Sequence, residues 1–203
     1  MNELGNERQA TAIHEAAHAV ISYMLGRRIM YAILFTDRDG EVVPMCSVCN
    51  SCLAYYGKNS PANDAHSKLI QDDLRCDMAI AVAGNIGQQA ICGNQSIVEG
   101  DFDKDRARAK ELASAIHFWK DHECWVCKYS ACEICSQYDR SITEAVSKIL
   151  KLEAVENSIR ALAILFEQSK NCSRIQGDAI ENFLKKRNLT KGQEIRVLPA
   201  APA

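Results

Sequence analysis

Two histidines four residues apart, with a glutamate directly after the first, occur in the stretch TAIHEAAHAVI, residues 11–21. Residues at this spacing lie on one face of an α-helix, so the rings of His14 and His18 can point at a single metal ion. In this HExxH arrangement two imidazoles hold zinc, and Glu15 reaches the water that the metal activates and serves as its general base. The predicted chemistry is metal-assisted hydrolysis of a peptide bond. The alternative is a helix that carries these five residues by chance.

The residues around the histidine pair favour the metal site. Ala16, Ala17 and Ala19 are small and leave the rings room to meet an ion. The histidines border the apolar stripe of the helix, where an imidazole without a polar partner would be costly to bury. A catalytic zinc site also needs a third protein ligand, and the HExxH motif does not say where in the sequence that ligand lies.

Candidates for the third ligand are the aspartates of EGDFDKDRARAKELASAI, residues 99–116. Asp105 heads an apolar stripe, because apolar residues follow it at four, seven, eight and eleven positions. Asp101 shares that face only if the helix begins earlier, and Asp103 points roughly the other way. All three could instead cap the helix or complement its dipole. We predict that Asp105 is the ligand, with Asp101 as its alternative, and that Asp103 has only the capping role.

Helices must position these side chains, and the spacing of apolar residues predicts five of them. The predicted helices cover residues 7–25, 65–92, 101–119, 142–168 and 176–187. Two β-rich runs predict a hairpin over residues 31–45, and cysteine-rich loops are expected at 45–64 and 124–135. The expected fold is mainly α, of the α+β class: a helical, zincin-like domain with a small β-hairpin. We expect a single domain over residues 1–190 and a flexible C-terminal tail over 191–203.

Composition and charge argue against several classes of partner. The 203 residues include 24 basic and 26 acidic side chains, a formal net charge of −2, which gives no electrostatic reason to bind nucleic acid or an anionic membrane. The N-terminus lacks the pattern of a secretory signal, and no apolar run approaches the roughly 18 residues of a membrane span. We therefore expect a cytoplasmic protein with no nucleic-acid partner and no membrane span.

Ten cysteines are many for a protein of a reducing compartment, and seven of them form two clusters. The clusters are Cys46, Cys49 and Cys52 in CSVCNSC, and Cys124, Cys127, Cys132 and Cys135 in CWVCKYSACEIC. Cysteines three residues apart suit metal binding, because two thiolates in one turn can hold the same ion. We favour a second, structural zinc with ligands from either or both clusters. Redox-labile thiols or disulfides are the alternative.

These stretches resemble the peptidase domain of the FtsH-type ATP-dependent zinc proteases and their small stand-alone relatives. TAIHEAAHAV is similar to that family's TAYHEAGHAI pattern, MAIAVAGNIGQQAICG to its GGRAAEELIFG segment, and VEGDFDKDRARAKELA to its STGASNDxxxATxxA segment. The likeness extends over most of residues 8–187. By this resemblance His14 and His18 are zinc ligands and Glu15 is the catalytic base. An aspartate of the third segment, best matched by Asp105, completes the site.

The sequence also departs from the family pattern. Gln88 and Gln89 replace the family's acidic pair, and Ala17 replaces the small glycine of its histidine motif. Neither change removes a ligand, but the glutamines indicate altered support of the metal ligands. The family's ATPase module is absent from these residues, so we expect an ATP-independent enzyme. It would act on a peptide or unfolded protein substrate by itself, or with a separate unfoldase or regulatory partner.

The expected function is that of a zinc metalloendopeptidase with Glu15 as general base. One alternative is a catalytically silent module of the same fold, in which metal and cysteines serve regulation or redox sensing. Another is a hydrolase that acts on a non-peptide amide. The intact Glu15 favours an enzyme, because a binding protein has no chemical need of a base at that position.

Overall fold

The computed structural model describes most of the chain. It covers residues 3–36, 42–48, 64–93, 99–120, 132–169, 173–192 and 198–200. The elements in chain order are α1 (Glu3–Met24), β1 (Ile29–Thr36), β2 (Val42–Val48), α2 (Asp64–Cys92), α3 (Glu99–Lys120), α4 (Glu133–Leu150), α5 (Glu153–Gln168), β3 (Ile175–Gln176) and α6 (Gly177–Lys186). This part of the chain is mainly helical with a small antiparallel sheet, which confirms the coarse fold class. No described helix combines the length and the apolar character that crossing a membrane requires.

Helix α1 lies at the centre of the fold. Every residue from Ala10 to Met24 is buried, and the helix packs against α2, α5 and strand β2. The alanines at positions 12, 16, 17 and 19 are fully buried and keep the helix narrow. A helix enclosed on all sides has no solvated face on which polar side chains could lie without cost. The polar residues that α1 carries therefore need partners inside the protein.

Helices α1 and α2 approach each other closely. Gly87 of α2 faces Ala17 of α1, and a Cβ added at Gly87 would lie only 2.5 Å from the Ala17 Cβ. Carbon atoms pack about 3.5–4.0 Å apart, so any larger residue at position 87 would push the two helices away from each other. This close crossing brings α2 against the part of α1 that carries the histidines.

The sheet lies beside the helices in the strand order β2-β1-β3. Strands β1 and β2 are antiparallel, with Ala32 opposite Cys46, and β1 also pairs with β3, where Ala32 is opposite Ile175. The hairpin predicted over residues 31–45 is confirmed, although its turn, residues 37–41, lies outside the described residues. Within the described part of the chain, β2 has a neighbouring strand on one side only.

The single long helix predicted over residues 142–168 is wrong. Two helices lie there, α4 and α5, and they are separated at Leu152, whose backbone is extended with φ −67° and ψ 127°. An unbroken helix would continue the buried face of α4 beyond Ile149 onto Glu153 and Arg160, four and eleven residues later. Both of these side chains are exposed. The break shifts the phase of the helix, so that the apolar residues of α5 face the core instead.

The predicted cysteine-rich loops are shorter than expected at the ends that the structure describes. Cys46 lies within strand β2 rather than in a loop. Helix α4 begins at Glu133, so Cys135 lies in its first turn and Cys132 is its N-cap residue. The sulfur of Cys132 accepts a hydrogen bond from the Cys135 backbone N–H, the role that an oxygen usually has at this position. Sequence periodicity did not indicate a cysteine as a helix cap.

The residues near the C-terminus contact the helices. Leu198 is buried, and the Pro199 carbonyl accepts hydrogen bonds from Arg75 at 2.9 Å and from the Tyr138 hydroxyl at 3.5 Å. The division into one domain and a flexible tail after residue 190 stays a prediction.

Candidate metal centre

Three side chains from two helices meet beside the centre of α1. His14 and His18 come from α1, and Asp105 comes from α3. The Nε2 atoms of the two histidines lie 3.0 Å apart. Asp105 Oδ2 lies 3.0 Å from His14 Nε2 and 3.1 Å from His18 Nε2. The three atoms form a nearly equilateral triangle, and this group could hold a metal ion.

The size of the triangle suits a small cation. Zinc lies about 2.0–2.2 Å from nitrogen and oxygen ligands, which at tetrahedral angles places the ligand atoms roughly 3.3–3.6 Å apart. The observed separations of 3.0–3.1 Å are slightly shorter than that, so a small outward movement of the side chains would accommodate the ion. Three protein ligands would leave the fourth tetrahedral position open, as in catalytic zinc sites.

The second nitrogen of each histidine ring fixes the orientation of the first. His14 Nδ1 lies 3.1 Å from Gln88 Oε1, and His18 Nδ1 lies 2.7 Å from the Ile80 carbonyl oxygen. These oxygens accept hydrogen bonds, so each Nδ1 is the donor, and a neutral ring then presents a lone pair at Nε2. With both rings neutral, two lone pairs and a carboxylate oxygen converge at one point, where a metal ion can replace the proton that His18 shares with Asp105. Metal-ligating histidines are supported in the same way.

The charges around the triangle favour a cation at its centre. Burial by itself would lower the pKa of His18, but the hydrogen bond to Asp105 and the negative charges of Asp105 and Glu15 outweigh it and raise the pKa to about 9. Burial by itself would raise the pKa of Asp105, but the hydrogen bonds from His14 and His18 hold that pKa well below its usual range. The group thus holds a proton firmly, and a metal ion that binds there must displace it.

One face of α2 encloses the histidine rings. Positions 80, 84 and 88 lie one turn apart on that face, with the Ile80 carbonyl and Gln88 holding the two rings and Gly84 between them. A Cβ added at Gly84 would lie 2.4 Å from His18 Nε2 and 2.5 Å from His14 Nε2. The missing side chain therefore leaves the space in which the two rings converge.

Glu15 borders the triangle without belonging to it. Only 6% of the residue is exposed, and its Oε1 lies 4.0 Å from His14 Nε2. A general base must lie within hydrogen-bond reach of the proton that it accepts. From this position the carboxylate can reach a water molecule next to the ligand atoms, which is the role that the HExxH spacing predicts.

Asp105 occupies the position predicted for the third ligand. Helix α3 begins at Glu99, so Asp105 lies nearly two turns inside the helix, where a capping role does not fit. The apolar residues that follow it on the same face are buried: Ala109, Leu112 and Ala113. Asp101 and Asp103 lie near the start of α3, but their side chains lie outside the described part of the chain.

Asp105→Asn should weaken metal binding by more than about 100-fold, beyond the 10- to 100-fold loss expected for groups that only support the ligands. The substitution keeps the shape of the side chain but removes the negative charge that both Nε2 atoms face. Isothermal titration of the metal-free protein with zinc measures the change. Asp101→Asn, on the same helix, is the matched control and should leave the affinity within a few-fold of wild type. A larger loss for Asp101→Asn would identify that residue as the ligand instead.

The structure describes only part of the two cysteine clusters. Four of the seven cysteines lie outside the described residues: Cys49, Cys52, Cys124 and Cys127. Burial, and then the negative charge of Glu15, raise the pKa of the Cys46 thiol well above its usual value, so a metal ion that bound Cys46 would have to displace its proton. Among the described residues, His14, His18 and Asp105 form the one group of three potential ligands. The second zinc stays a prediction.

Sequence reasoning missed two contributors from α2. The Ile80 carbonyl carries no side-chain signal, and Gly84 is one of several glycines in the sequence. Gln88 departs from the pattern of the family that the sequence resembles, and its Oε1 lies 3.1 Å from His14 Nδ1. Positions 80, 84 and 88 are spaced by four residues, which predicts that they share one face of a helix. The sequence does not show that α1 packs against that face.

Neither a scan against protein-family models nor a search of curated proteins finds a match to this chain.

Proposed function

We propose that the protein is a zinc-dependent metallopeptidase that hydrolyses peptide bonds in flexible protein segments. The proposal depends on one observation: two imidazoles anchored through Nδ1 converge with Asp105 within 3.1 Å, and the buried Glu15 carboxylate lies beside them. A helix that carried these residues by chance would have no reason to meet an aspartate from another helix at this point. The resemblance to the FtsH-type peptidase domain supports the same assignment.

The donor set favours zinc. Two imidazoles and one carboxylate match the composition of known catalytic zinc sites, in which three protein ligands leave a position for water or substrate. Zinc held by His14, His18 and Asp105 would lower the pKa of a coordinated water to about 7 and polarise the carbonyl of a scissile bond. Gln88 and the Ile80 carbonyl would keep both rings in the orientation that binding needs.

Glu15 performs the proton transfers in this proposal. Its carboxylate accepts the proton of the attacking water and later delivers it to the nitrogen of the leaving amine. Burial places the carboxylate near the reacting atoms with little competing solvent. A module that only bound a metal would gain nothing from a carboxylate in this position.

Strand β2 is the surface on which we expect the substrate to lie. It packs against α1, and within the described residues its outer edge has no partner strand. An extended peptide can add to such an edge through backbone hydrogen bonds. Cys46 lies within this strand, and the negative charge of Glu15 contributes to the raised pKa of its thiol. The strand therefore passes close to the Glu15 carboxylate. A folded substrate would first need a separate unfoldase, whereas a flexible loop or peptide would not.

Removal of the metal tests the proposal. We expect the purified protein to carry at least one zinc per chain and to cleave an unstructured protein such as casein. Dialysis against a chelator should abolish the cleavage, and stoichiometric zinc should restore it. The measurements are metal content by atomic emission and cleavage by electrophoresis. Cleavage that survives complete removal of the metal contradicts the proposal. Zinc-loaded protein that cleaves nothing in a broad peptide set favours the silent metal-binding module.

A further inference from the structure

Two cysteines lie together at the start of α4, separate from the metal centre. Cys132 is the N-cap residue and Cys135 lies in the first turn, in the sequence CEIC. Their Sγ atoms are 3.6 Å apart. A disulfide has an S–S distance of about 2.05 Å, so the two sulfurs are unbonded but within reach of each other after a modest side-chain rotation.

The two sulfurs have different surroundings. Cys132 is partly exposed, and its Sγ accepts a hydrogen bond from the Cys135 backbone N–H at 3.4 Å. Cys135 is only 4% exposed, and its Sγ lies 3.8 Å from the Ala113 carbonyl oxygen of α3. The outer sulfur also sits at the positive end of the α4 dipole, where developing negative charge on sulfur is stabilised. One sulfur is therefore placed to react with an external molecule, and the other to react only with the first.

We propose that Cys132 and Cys135 form a thiol–disulfide exchange site for low-molecular-weight disulfides. Cys132 loses its proton to solvent and attacks a disulfide RSSR, which gives the mixed disulfide Cys132–S–SR and releases RS⁻. Cys135 then loses its proton and attacks Cys132 Sγ, which forms the Cys132–Cys135 disulfide and releases the second RS⁻. The two protein thiols lose two electrons, RSSR gains them, and the two protons end on the released thiols. In excess thiol the reaction runs in reverse.

A disulfide and a metal site differ in what they require of this pair. Two sulfurs complete a disulfide, whereas a structural zinc takes four ligands. A metal ion held by Cys132 and Cys135 would overturn the proposal.

Peptide mapping of the full-length protein isolates this pair from the other cysteines. Trypsin cleaves after Lys128 and Arg140, and the peptide of residues 129–140, YSACEICSQYDR, contains Cys132 and Cys135 alone. The protein is equilibrated with glutathione and glutathione disulfide at graded ratios, alkylated, digested and analysed by mass spectrometry. We expect two alkyl groups on this peptide in excess glutathione. In excess glutathione disulfide we expect none, with a mass lower by two hydrogens.

The peptide of residues 76–104 is the internal control. It carries Cys76 and Cys92, whose thiols have raised pKa values because of burial. These two cysteines should stay alkylated at ratios that fully oxidise the exchange pair. If both peptides titrate together, or if peptide 129–140 stays doubly alkylated throughout, the proposal is wrong.

Single substitutions test the assigned order of attack. Cys135→Ser should accumulate glutathione on Cys132, because no second thiol is present to release it. Cys132→Ser should show neither a disulfide nor glutathione on the buried Cys135. Equal glutathionylation of both variants overturns the assignment of roles. A peptide that resists alkylation until a chelator is added, in native protein that contains a second zinc, overturns the exchange site in favour of a metal site. Far-ultraviolet circular dichroism verifies that each variant is folded.

Discussion

Glu15→Gln is expected to reduce kcat/KM for cleavage of an unstructured protein by about 10²- to 10⁴-fold, the contribution typical of a general base. The amide has nearly the shape of the carboxylate but cannot accept the proton of the attacking water. Glu15 Oε1 lies 4.0 Å from His14 Nε2 and is not one of the three ligand atoms, so zinc should remain bound. The measurements are a cleavage assay and zinc content on the same preparation.

An exposed glutamate provides the matched control for this variant. Glu111 lies on α3, and its side chain is largely exposed in an ion pair with Arg108. Surface pairs of this kind contribute little to stability, so Glu111→Gln should retain both cleavage and zinc. If Glu15→Gln retains zinc and cleaves as fast as Glu111→Gln, Glu15 is not the base and the peptidase mechanism proposed here fails. If Glu15→Gln loses zinc as well, the loss of cleavage follows from the loss of the metal. Glu15 would then be a residue that supports zinc binding.

The local part of the site could be predicted from the sequence because helical periodicity determines it. The spacing of His14, Glu15 and His18 needs only one helix, and the apolar residues of α1 recur with helical spacing. The place of Asp105 at the head of an apolar stripe predicts it as a ligand, and the described residues of that stripe, Ala109, Leu112 and Ala113, are buried. Both predictions use relations between residues of one element, which the 3.6-residue period sets.

The parts that the sequence did not predict depend on contacts between elements. Gly84 matters because α2 crosses α1 at a distance that leaves no room for a Cβ, and no pattern within α2 gives that distance. The break at Leu152 follows from a phase change between two stripes, each of which is a good helix by itself. Cys132 acts as an N-cap although cysteine is not a usual capping residue. In each case tertiary packing selects among conformations that the local sequence permits.

The contacts of α2 also separate a metal site from an accidental histidine pair. A buried histidine in an ordinary core needs one satisfied polar contact, and its second nitrogen can be left to a water or a hydroxyl. Here both Nδ1 atoms are already satisfied by acceptors on α2. Both Nε2 atoms and the Asp105 carboxylate are directed at the same point. Bringing these electron-rich atoms together is energetically unfavourable unless a cation lies between them. Burial by itself would lower the pKa of His18, but Asp105 raises it. In the metal-free protein a proton on His18 therefore supplies the positive charge that a metal ion would otherwise supply.

Gly84→Ala should abolish zinc binding while leaving the protein folded. The added methyl group would lie within 2.5 Å of both Nε2 atoms, so the rings must rotate away from the point at which they converge. Overpacking of this kind costs about 1–3 kcal/mol of unfolding free energy, and the gain of about 1 kcal/mol from replacing a helical glycine offsets only part of it. We expect a loss of zinc affinity larger than the 10- to 100-fold typical of a disturbed support group, measured by titration of the metal-free protein.

Gly87→Ala distinguishes a specific effect on the rings from general crowding between α1 and α2. Its Cβ would lie 2.5 Å from the Ala17 Cβ, an overlap as severe as that at Gly84, but its nearest neighbours include no histidine atom. Both variants should therefore lose similar stability in a thermal melt of the metal-free protein, and only Gly84→Ala should lose zinc. Equal zinc affinity in the two variants would mean that the ion does not lie where the two Nε2 atoms and Asp105 Oδ2 converge. Because the two glycines lie three residues apart on one helix, the comparison holds the helix and the kind of overlap constant and changes only which residue the methyl group meets.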